Sequence, residues 1–138
     1  MNIMKNLFCY FLAAVSAAVI VFAFVSLNKL SPGGELLKEF GWEFEPKPIE
    51  VAELIISEEY DDVFGNYNEL QIKAGLDLEP YMGMRATRYT YIITNYPDET
   101  ENVRGNVLVV DGVAVGGDIS TVELGGFMES LNCNLTNF

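Results

Sequence analysis

Val107-Leu108-Val109-Val110-Asp111-Gly112-Val113-Ala114-Val115 is the stretch that decides the fold. Two β-branched runs flank an Asp-Gly pair, and that pair tolerates the positive backbone angles of a two-residue type I′ turn. The reading is a β-hairpin with Val110 beside Val113, and Leu108 beside Val115, on one face. Downstream, Gly116-Gly117 predicts a bulge or a close backbone approach before residues 118–122 continue the strand. Upstream, residues 86–96 are rich in Tyr, Thr and Ile and stop at Pro97, which predicts a long strand and therefore a three-stranded meander.

Farther toward the amino terminus the period changes. Tyr60, Val63, Phe64, Tyr67, Leu70, Gln71 and Ala74 recur at helical spacing, Gly75 ends the segment, and Ser57 is placed to cap it. Glu58, Glu59, Asp61 and Asp62 crowd the first turn, where carboxylates complement the helix dipole. Before that helix, Pro46 and Pro48 force an extended approach to a β-branched strand over residues 49–56. Residues 35–40 form a short helix stopped by Gly41, with Trp42 folding back as core. The expected fold is α+β: an N-terminal transmembrane helix, then one main helix packed on an antiparallel sheet in the order α-β-α-β-β-β.

The transmembrane expectation rests on the run that begins at Leu7 and ends at Leu27, 21 residues without a charge. As a helix it would reach about 31 Å, which matches a bilayer core and exceeds the apolar region of an ordinary cleaved signal. The expected organisation is a membrane anchor over residues 1–30, a linker of Ser31-Pro32-Gly33-Gly34, and an extracytoplasmic domain over residues 35–138. The expected location is the cell membrane, crossed once, with a short cytoplasmic start. A cleaved signal peptide is the alternative.

Charge and composition exclude several chemistries. The chain has 138 residues, 8 Lys and Arg against 20 Asp and Glu, and a net charge of −12. All 20 acids and six of the bases follow residue 30, so that part carries −14. Such a surface repels nucleic acid and anionic lipid. With no histidine, imidazole catalysis and His-ligated zinc are excluded, and two cysteines are too few for a Cys-only zinc site. Cys9 lies in the apolar run and Cys133 in the tail, so the fold must stand without a disulfide. No phosphate loop, calcium loop or Cys-x-x-Cys pair is present.

Phe40-Gly41-Trp42, Tyr67-Asn68, Leu70-Gln71, Gly75-Leu76-Asp77-Leu78, Tyr81, Gly83, Arg88-Tyr89-Thr90-Tyr91, Asn95-Tyr96-Pro97, Gly116-Gly117-Asp118 and Gly126-Phe127-Met128 stand in one order. Together they resemble a family labelled only as domain of unknown function forty-eight thirty, from clostridial-type Gram-positive bacteria, over about Leu36 to Leu131. The resemblance implies a bacterial envelope protein facing outward and brings no catalytic or ligand residues with it.

The least ordinary polar set is Arg88, Tyr91 and Asn95 on the long strand, with Tyr89 beside them, Asn66 and Asn68 on the helix and Asp118 after the glycines. Strand alternation puts Arg88 on the face opposite Tyr89, Tyr91 and Asn95. Arg88 is expected to pair with an acid, Asp118 being the candidate. Alternatively it anchors an anionic ligand group in a groove beside Gly116 and Gly117. No catalytic, cofactor-binding or metal-ligating set stands out. The reading is a non-enzymatic binding module that contacts an envelope protein or a ligand. Its rivals are a hydrolase using paired carboxylates from Asp61, Asp62 or Asp118, and an acidic cation sensor.

Overall fold

The computed structural model describes residues 3, 4, 6, 10, 30–97 and 101–133. Along the chain they form α1 (Pro32–Glu39), β1 (Glu50–Ile55), α2 (Asp62–Lys73), a 3-10 turn (Glu79–Tyr81), β2 (Arg85–Ile92), β3 (Val103–Val110), β4 (Val113–Thr121) and β5 (Met128–Glu129). The five strands make one antiparallel sheet in sequence order.

Alternation along β3 sorts the core into two layers. Val107 and Val109 pack with Leu36 and Leu37 of α1, Trp42, Tyr91, Ile119 and Leu131 on one face. Leu108 and Val110 pack with Phe64 of α2, Ile56, Leu78, Ala86 and Val115 on the other. The sheet is thus sandwiched, with α1 on one face and α2 on the other.

Several expectations are corrected. The order α-β-α-β-β-β becomes α1-β1-α2-β2-β3-β4-β5, because Met128 and Glu129 pair with Ser120 and Ile119 as a fifth strand. A two-residue strand leaves no periodicity to read in sequence. The N-terminal transmembrane helix is unsupported: among the described residues no helix is long and apolar enough to cross a membrane. Apart from Tyr10, the run from Leu7 to Leu27 lies outside the described residues.

Ser31-Pro32-Gly33-Gly34 caps and begins α1. Ser31 caps α1, its Oγ accepting from Gly34 N–H, and Pro32 occupies the first turn, where its missing N–H costs nothing. Gly33 is there for proximity, since a Cβ would stand 3.3 Å from the Cβ of Val107. Asp61, not Ser57, caps α2, its Oδ1 accepting from Phe64 N–H at 2.8 Å. Ser57 instead donates its hydroxyl to the Glu59 carbonyl at 2.8 Å.

The hairpin turns at Asp111 (φ 48°) and Gly112 (φ 78°), both in the left-handed region that a type I′ turn requires. Val110 pairs with Val113, but the ladder shifts beyond Ala114, so Leu108 faces Gly116 and Val115 is the bulged residue. The tail closes the first layer. Trp42 Nε1 donates to the Leu131 carbonyl at 2.7 Å, and Phe127 stacks on Tyr96, which stacks on Trp42.

Candidate functional site

On the α2 face the register aligns polar residues across three strands. Thr90 of β2 lies opposite Asn106 of β3, which lies opposite Asp118 of β4. Thr90 Oγ1 donates to Asn106 Oδ1 at 2.8 Å, and Asn106 Nδ2 reaches Asp118 Oδ1 at 2.9 Å and Ser120 Oγ at 3.1 Å. From α2, the Tyr67 hydroxyl donates to Asp118 Oδ2 at 2.8 Å. Asp118 is 3 % exposed. Burial raises its carboxyl pKa above the ordinary value, and the hydrogen bonds from Asn106, Tyr67 and Ser120 and the Arg88 charge pull the other way. Burial, with the Asp118 charge second, pushes the Tyr67 hydroxyl well above 10.

Beside this row opens a groove of about 380 Å³. Leu54 of β1 and Ile56 just after it, Phe64 of α2 and Leu108 of β3 give it apolar walls, while Arg88, Asn106, Asp118 and Tyr67 supply its polar side. Asp61 and Val63 at the start of α2 line it as well. Apolar walls with a few convergent polar groups are the usual make-up of a ligand pocket.

Arg88 does not pair with Asp118 as expected. Its Nη2 donates to Glu50 Oε1 at 2.7 Å. The physical reason is register: β3 lies between their strands, which separates the two backbones by about 10 Å. Arg88 acts on Asp118 only through its charge. The Arg88 Nε is buried and has no hydrogen-bond partner among the described residues.

The other predicted residues are placed elsewhere. Tyr91 is buried in the α1 layer and its hydroxyl hydrogen-bonds the Ser31 hydroxyl. Asn95 accepts from Glu43 N–H at 2.9 Å and donates to the Gly41 carbonyl at 3.1 Å, tying the stretch after α1 to the end of β2. Asn68 is buried, donating to Asp77 and accepting from Leu78 N–H at 2.7 Å. Asn66 is exposed. The structure thus brings Arg88 and Asp118 to one groove and assigns Tyr91 and Asn95 structural bonds on the other side of the sheet.

Sequence reasoning passed over Tyr67, Thr90 and Asn106. Asn106 carried a signal: it stands two before Leu108 and four before Val110, so strand alternation places its amide inside an apolar layer, where it must find partners.

No curated protein and no solved structure matches the chain. A family model does match, over residues 36–119, which takes in the second half of α1, β1, α2, Arg88 and Asp118. The chain therefore belongs to the family described as domain of unknown function (DUF4830).

Proposed function

We propose that this protein is a non-catalytic binding module of the bacterial envelope that takes a ligand or a partner segment into the groove between β1 and α2. The extracytoplasmic location rests on sequence alone, on the long uncharged run between Leu7 and Leu27 as an export segment and on the family resemblance. The observation that carries the binding reading is an apolar-walled opening with an arginine whose buried Nε lacks an acceptor among the described residues. A buried donor without a partner costs about 1–3 kcal/mol, so an acceptor brought by a ligand is favoured there.

The hydrolase reading is less well supported. It needs a second carboxyl group placed to exchange protons with Asp118. Both Asp118 oxygens already accept hydrogen bonds, and Asp61 Oδ1 is taken by the α2 cap.

The test is a photo-cross-linking residue at Val63, on the groove and 77 % exposed, compared with one at Leu124 in the β4–β5 loop, in intact cells. The groove position is expected to give a discrete adduct and the loop position none. Arg88→Ala is expected to abolish the adduct while lowering stability by less than about 1 kcal/mol, since its pair with Glu50 is solvent-exposed. Equal labelling from both positions, or an adduct unaffected by Arg88→Ala, contradicts the proposal.

A further inference from the structure

β1 is a free edge of the sheet: among the described residues it pairs with β2 and with no other strand. Register decides which of its backbone groups are open. In an antiparallel ladder, residues that exchange both hydrogen bonds with a neighbour alternate with residues whose N–H and C=O point the opposite way. Ile93 N–H donates to the Val103 carbonyl at 3.0 Å, so odd-numbered residues along β2 bond toward β3 and even-numbered ones toward β1. Ile56 N–H to the Met84 carbonyl, at 2.9 Å, agrees. Glu50, Ala52 and Leu54 lie opposite Thr90, Arg88 and Ala86. The N–H and C=O groups of Val51, Glu53 and Ile55 therefore point to the open edge.

The side chains leave that edge accessible. Ile49, Val51 and Ile55 are 49 %, 56 % and 53 % exposed. Native sheets usually blunt an edge with lysine, proline or a cover. Glu50–Ile55 contains neither lysine nor proline, and its two glutamates are each engaged by an arginine of β2, Glu50 by Arg88 and Glu53 by Arg85. Charge then selects the occupant. The chain carries −12, and exposed Glu58, Glu59, Asp61 and Asp62 stand between β1 and the body of α2. A second copy would bring the same charge to the same place, whereas a cationic strand is attracted.

We infer that β1 accepts, as a sixth strand, an extended peptide in which lysine or arginine alternates with apolar residues. The peptide's apolar residues cover Val51 and Ile55 on one face. Its cationic residues lie on the other, toward exposed Asp61 at the start of α2. Main-chain hydrogen bonds supply the affinity and the alternating side chains the selectivity. This rests on the binding-module reading and names the chemistry of the partner.

The test uses the full-length chain and a labelled synthetic peptide of alternating lysine and valine, followed by fluorescence anisotropy. Saturable binding is expected, with none for an aspartate-valine peptide. Val51→Pro removes an outward N–H while leaving the ladder to β2 intact, which an edge strand tolerates. It is expected to weaken binding by at least about tenfold with the melting temperature nearly unchanged. Equal binding by wild type and Val51→Pro overturns edge addition and leaves only charge attraction. A dimer that Val51→Pro dissolves overturns it in favour of a second copy. No peptide binding, together with a persistent adduct from Val63, overturns it while leaving the binding module standing; loss of both takes down the two together.

Discussion

Asp118 is held at 3 % exposure between Tyr67 and Asn106, with its carboxyl pKa raised by burial. A raised folded value means that, between the ordinary carboxyl value and the raised one, the native state binds more protons than the unfolded chain. Stability from this group is therefore fully present below the ordinary value and is lost as pH rises through the folded value. Asp118→Asn keeps a group that can bond both neighbours and removes the charge. Melting wild type and variant side by side between about pH 3 and 8 should show the difference moving in favour of the variant as pH rises. A difference that stays constant with pH would mean that Asp118 titrates alike in folded and unfolded chains. Neither the burial nor the partners of Asp118 could be read from Gly116-Gly117-Asp118 alone, because they come from Tyr67 and Asn106, distant in sequence and joined only by the register.

Elements with local signals were legible. Asp111-Gly112 identified the hairpin because left-handed backbone is demanded there, and the helical repeat from Tyr60 to Ala74 identified α2, although Tyr60 precedes its first turn. What local patterns could not carry was the exact pairing. Val115 is bulged because Gly116 slides beneath Leu78 and Gln71, where a Cβ would come within 2.9 Å of Leu78 Cδ2. Gly117 is tighter still: a Cβ would stand 2.5 Å from the Asn106 carbonyl oxygen, and backbone cannot rotate away as a side chain can. Its N–H donates to the buried Gln71 Oε1 at 2.7 Å, which fastens β4 to α2. Gly117→Ala is accordingly expected to cost about 1–3 kcal/mol or more, read as a lower urea midpoint. An unchanged midpoint would show that β4 has room to shift, and with it the row that ends at Asp118.

At the scale of the molecule, two helices on opposite faces divide the sheet into a sealed side and an open one. The α1 side is closed by Trp42, Tyr91 and Leu131, all nearly inaccessible, with Phe127 stacked over Tyr96. The α2 side is closed only in part, because α2 lies toward β4 and leaves the groove between itself and β1. The sequence suggested one main helix on the sheet and a short helix over residues 35–40, which it began too late because Ser31-Pro32-Gly33-Gly34 has the composition of a linker. Only the contact of Gly33 with Val107 explains why glycine begins a helix there. The binding account depends on that open side, and filling it is the most direct test. Leu54→Trp introduces a larger side chain on the groove wall, and the variant is compared with wild type for the Val63 photo-adduct in cells, its fold checked by circular dichroism. The account predicts a folded protein that no longer forms the adduct; a folded variant that labels its partner as well as wild type does would contradict it.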